Sequence, residues 1–112
     1  MTDNFKEATP PLPKPLNVLI HAPTGASLER ARNNAINILR ERPDAKLHIV
    51  VNADGVRAAL EAAHPETDAL LLMCANTLRK MNAAAPQALQ TVPSAAIALI
   101  TMQQDGWLYI RA

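Results

Sequence analysis

A chain of 112 residues holds one ordinary domain and no second core. Its 49% hydrophobic and 19% charged residues exclude an intrinsically disordered chain. Eleven basic residues meet ten acidic ones for a formal charge of +1, and the signs are interleaved, so the basic stripe of a nucleic-acid binder is missing.

In chain order, residues 1–15 come first and carry Pro10, Pro11, Pro13 and Pro15 among polar neighbours. Proline fixes φ and lacks the amide donor that regular structure needs, so this stretch is predicted to be a disordered tail ahead of a domain over 16–112. A first strand follows at Leu16 to His21. Ser27 is expected to cap a helix whose inner side is Leu28, Ala31, Ala35, Ile38 and Leu39, recurring at three- and four-residue spacing. The charged residues Glu29, Arg30, Arg32, Arg40, Glu41 and Arg42 then read as its solvated face. Pro43 and Asp44 stop it.

The second strand is Leu47 to Asn52. Asp54 is the expected cap of the next helix, which faces Val56, Ala59, Leu60 and Ala63 inward and ends at Pro65. The third run, Ala69 to Cys74, is apolar throughout, which predicts a strand inside the sheet with helices over both faces. A short helix begins near Asn76 or Thr77. An extended piece at Thr91 and Val92 leads to Ser94, the expected cap of a last helix ended by Gly106, and Trp107 to Ile110 forms the closing strand. Apolar runs alternating with helical periods predict an α/β fold, a three-layer α/β/α sandwich with a mainly parallel five-stranded sheet.

The last helix has almost no polar side. Ala95, Ala96, Ile97, Ala98, Leu99, Ile100 and Met102 predict that something covers it, most simply another copy of the chain in a homo-oligomer. No apolar run approaches the ~20 residues of a membrane span, and no signal-peptide pattern opens the sequence, so no membrane association and a cytoplasmic location are expected. A lone cysteine forms no internal disulfide, which suits that compartment.

In an open parallel sheet, ligands gather beyond the carboxyl ends of the strands. Those ends carry His21, Asn52 and Cys74, with Asn76 and Thr77 just after. Cys74 is the candidate nucleophile, because a following helix start stabilises a thiolate through its amides, although cysteine is also among the most often buried residue types. His21 is a candidate orienting group or base for it, and a hydrolytic Cys74–His21 pair is one possible reading. Asn52, Asn76 and Thr77 are candidate ligand-binding residues, and Arg79 is a candidate for attracting anions. No Cys or His pair has metal-site spacing, so no metal is expected, nor any cofactor, since the loop from His21 to Ser27 has one glycine where a nucleotide fingerprint needs more.

The stretch Met73, Cys74, Ala75, Asn76, Thr77, Leu78, Arg79, followed by Val92, Pro93, Ser94 and by Gly106, Trp107, Leu108, Tyr109, Ile110, Arg111, resembles the DsrE/DsrF-like family over residues 16–112. The resemblance implies a parallel three-layer sandwich, a homo-oligomer (trimer or hexamer), and a sulfur-relay role in which Cys74 holds sulfane sulfur as a persulfide passed between donor and acceptor proteins. The alternative expectation is an oligomeric module binding a small anion or nucleotide, with Cys74 only lining the pocket.

Overall fold

The computed structural model describes residues 15–112. The proline-rich start expected as a tail therefore lies, through residue 14, outside the described residues. Five strands, β1 (Asn17–Ala22), β2 (Lys46–Val51), β3 (Leu71–Cys74), β4 (Gln90–Val92) and β5 (Leu108–Arg111), form one sheet in the order β4-β3-β2-β1-β5. Every neighbouring pair is parallel. The helices α1 (Gly25–Glu41), α2 (Asp54–Glu61), α3 (Ala75–Lys80) and α4 (Ala95–Gln104) make the crossovers, with a single 3-10 turn at Asp68–Leu70 ahead of β3.

Side chains alternate between faces along each strand, so the sheet builds two cores. On one face Val18, Ile20, Leu47, Ile49, Val51, Leu71 and Met73 pack beneath Leu28, Ala31 and Ala35 of α1 and Val56 and Ala59 of α2. On the other, Val50 and Cys74 pack against Ala95 of α4, with Leu72, Leu99 and Met102 around them. These three layers are the expected sandwich. β3 lies between β2 and β4, inside the sheet, as an apolar run requires.

The element ends correct several expectations. Thr24, not Ser27, caps α1: its hydroxyl accepts from Ser27 N, and Ser27 Oγ accepts from Thr24 N in return, a reciprocal box that starts the helix at Gly25. Asp54 does not cap α2. The cap position is Ala53, which makes no side-chain bond and sits at φ 51°, ψ −135°, a conformation that costs an alanine energy. Ala69 and Leu70 belong to the 3-10 turn instead of β3. Ser94 caps α4 as expected, its hydroxyl accepting from Ile97 N. At the far end Gly106 takes φ 92° while Trp107 N reaches back to Met102 O at 3.0 Å, a Schellman-type stop.

Arg32 corrects the reading of α1's charged face. It is only 6% exposed, because Thr67 and Asp68 fold over it: Nη1 donates to Thr67 Oγ1 at 2.5 Å and to Asp68 Oδ1 at 2.9 Å. A period-3.6 pattern places residues on helix faces, and it does not foresee a loop that brings a carboxylate over one of them.

Gly55 sets how closely α2 docks on β1. A Cβ there meets the Ala22 carbonyl oxygen at 2.3 Å and Val51 Cγ1 at 3.0 Å, so the helix start touches the strand end only through a bare backbone. Gly55→Ala should cost about 1–3 kcal/mol through this overlap, read as a lowered denaturation midpoint in urea.

Candidate functional site

The carboxyl ends of the strands bring His21, Asn52 and Cys74 to one edge and one face. In register, His21 stands beside Val50, Val50 beside Leu72, and Cys74 follows Leu72 by the two residues that keep it on the same side. His21 and Cys74 are nevertheless two strand spacings apart, roughly 10 Å sideways. Both imidazole nitrogens are engaged elsewhere: Nε2 lies 3.0 Å from Asn52 Oδ1 and Nδ1 3.0 Å from the Tyr109 hydroxyl. The two candidates therefore share an edge without forming a Cys–His couple, since a general base needs hydrogen-bond reach of its nucleophile.

Cys74 is the last residue of β3 and the cap of α3. The sequence position suggested an open edge, but α4 begins directly over the sulfur and leaves the residue 5% exposed. Burial alone pushes the thiol's pKa up, the largest single influence on it. The backbone amides of Thr77, Ala95 and Asn76 and the hydroxyl of Thr77 push it down, and together they prevail, holding the thiol below its ordinary value. The Ala95 amide donates to Sγ at 3.4 Å, so the first turn of α4 joins the start of α3 in stabilising the anion.

Thr77 is itself held in place. Its Oγ1 accepts from the Ala53 amide at 3.1 Å, leaving the hydroxyl proton for another acceptor. The unusual backbone of Ala53 thus belongs to the same edge as Asn52 and Thr77. Asn76 and Arg79 are both exposed, and the Arg79 guanidinium donates to Asn76 Oδ1, one turn back on α3.

Two contributors escaped the sequence reading. Tyr109 reaches His21 only because β5 pairs with β1, a neighbour 88 residues away that no local pattern announces. The Ala95 amide is a backbone group, and only the capping signal at Ser94 hinted that a helix start stood there. Among the remaining histidines, His48 stacks on Trp107 with ring centroids 5.4 Å apart, and His64 is exposed after α2. No group of three or more potential metal-binding side chains occurs among the described residues. No helix among them is long and apolar enough to cross a membrane.

No family model matches the chain, and no curated protein matches it. Among solved structures, a protein of unknown function from Methanobacterium thermoautotrophicum superimposes with a TM-score of 0.74 at 19% sequence identity, covering 87% of this chain and 99% of that one. At that identity the likeness establishes a shared compact α/β fold.

Iodoacetamide alkylation of Cys74 followed against pH should show a midpoint below that of the same cysteine in the urea-unfolded chain. Thr77→Val removes one donor from the anion, so its midpoint should move to higher pH, and Thr77→Ser should restore the parent profile.

Proposed function

We propose that Cys74 is a thiolate nucleophile that takes up sulfane sulfur and holds it as a persulfide for transfer to an acceptor. The single observation that carries this reading is the convergence of amides from α3 and α4 on a sulfur whose pKa lies below its ordinary value despite burial. Thiol exchange needs that thiolate. Sγ bonds to the outer sulfur of a hydropolysulfide R–S–SH, the S–S bond breaks, and its electron pair leaves on R–S⁻, giving Cys74–S–SH. Passing the outer sulfur to an acceptor thiolate reverses the sequence and regenerates the Cys74 thiolate. An exposure of 5% selects a small donor, because a protein thiol reaches Sγ only if the first turn of α4 moves aside. Asn76 at the start of α3 and Arg79 one turn on, both exposed, supply polar contacts for an incoming anion, and His21 with Asn52 lines the neighbouring strand ends. The resemblance to the DsrE/DsrF-like family, and the reducing cytoplasm that a persulfide carrier suits, belong to this same proposal.

Incubation with sodium polysulfide followed by peptide mass spectrometry should reveal a dithiothreitol-sensitive adduct of one sulfur, about 32 Da, on Cys74. A chain that stays unmodified while its thiol still alkylates overturns the reading.

The same low exposure favours a second reading, in which Cys74 only lines a pocket for a small anion or nucleotide at the strand ends. A ligand that raises the melting temperature of Cys74→Ser as much as that of the parent would favour it, since binding to the native state stabilises regardless of the thiol.

We propose as well that the chain self-associates, as a trimer or hexamer, through α4 and β5. α4 is not an inner helix: Ile97 and Ile100 are 61% and 53% exposed on its outer side, and Leu108, Tyr109 and Ile110 are exposed on the edge strand. Light scattering should give a multiple of the 12.1 kDa chain mass, and Ile97→Lys with Ile100→Lys should reduce it to one chain. A parent already at one chain mass in micromolar solution refutes self-association.

A further inference from the structure

A cavity of about 540 Å³ lies between α1 and the turn after α2, on the side of the sheet opposite Cys74. Arg32 lines it. Its guanidinium is more than nine-tenths buried, and Nη1 is satisfied by Thr67 and Asp68, while Nη2 is buried without any hydrogen-bond partner. A buried charged donor left unpaired is costly, so the guanidinium gains from a rotation that brings Nη2 to an acceptor oxygen. Nη2 is closed to solvent, and the guanidinium must turn its edge into the cavity for such an oxygen to meet it.

The other lining groups narrow the chemistry. Asp68 already answers the charge of Arg32 at 2.9 Å, which leaves the carboxylates of Glu29 and Glu66 in surplus around the opening. A phosphate or other plain anion meets that surplus as repulsion. A plain amine suits Glu29 and Glu66 but leaves Nη2 unanswered. Leu28 and Ile36 supply an apolar wall, and the volume is within the range of small-molecule sites.

We infer that this cavity binds a small zwitterion of the amino-acid class, its carboxylate on Arg32, its ammonium group between Glu29 and Glu66, and an aliphatic side chain against Leu28 and Ile36. Carboxylate on guanidinium is a charge-assisted, orientation-specific pair, and the ammonium group restores charge balance at the rim. The inference is independent of Cys74 chemistry.

Leucine is the probe, titrated into the isotope-labelled full chain with NMR as readout. Leucine should shift the Arg32 side-chain resonance and the backbone amides of Leu28 and Ala63. N-acetylleucine, which lacks the ammonium group, leucinamide, which lacks the carboxylate, and inorganic phosphate should each bind at least about tenfold more weakly. Glu29 and Glu66 are both exposed, so Glu29→Gln with Glu66→Gln should leave the fold intact and weaken leucine binding by about tenfold. No leucine-dependent shift up to about 10 mM overturns the inference. So does binding of phosphate, leucinamide or N-acetylleucine as tight as leucine, or leucine binding unchanged in the double variant.

Discussion

Every strand of this sheet runs the same way, and that one constraint arranges the rest of the molecule. Parallel strands need a crossover between each consecutive pair, and right-handed crossovers place helices over the sheet. Both faces of the inner strands must then be apolar where helices cover them, as they are along Ile49 to Val51 of β2 and throughout β3. All carboxyl ends consequently meet at one edge, and the helices that follow start there with free amides. α2 docks so tightly at this edge that only Gly55 fits against the Ala22 carbonyl. The position of Cys74 is a by-product of this arrangement, since the residue that ends an inner strand is also the one that opens a helix.

Around the sulfur two opposing effects are set against each other. Removing a thiolate from water is unfavourable, whereas fixed amide dipoles favour it without having to reorganise. α3 alone is too short to have a large macrodipole. The start of α4, brought over β3 by the crossover from β4, adds its Ala95 amide to the amides of Thr77 and Asn76 at the start of α3. Proximity of a histidine contributes nothing comparable, because His21 is committed to Asn52 and Tyr109.

The two faces of the sheet are covered unequally. α1 and α2 close one side over a long run of aliphatic residues. α4 alone covers β2 and β3 on the other side, and β5 has no strand beyond it. A helix with apolar residues all round, meeting the sheet with one side only, necessarily turns the remainder outward. Ile97 and Ile100 are that remainder.

Much of the architecture was legible because it rests on local signals. Apolar runs at Leu47 to Asn52 and Ala69 to Cys74, helical spacing from Leu28 to Leu39, and stops at Pro43 and Gly106 each follow from a few neighbouring residues, whereas α2 ends at Glu61, ahead of the expected stop at Pro65. Their alternation is enough for a parallel α/β sandwich. The lone cysteine at a strand end was legible for the same reason. What the sequence by itself left undetermined are relations between distant residues: β5 beside β1, which gives His21 its tyrosine, and α4 over β3, which closes the Cys74 site. The Thr67–Asp68 turn over α1, which buries Arg32, belongs with them. Such contacts arise from strand order and crossover packing, and no one-dimensional periodicity encodes which two elements become neighbours.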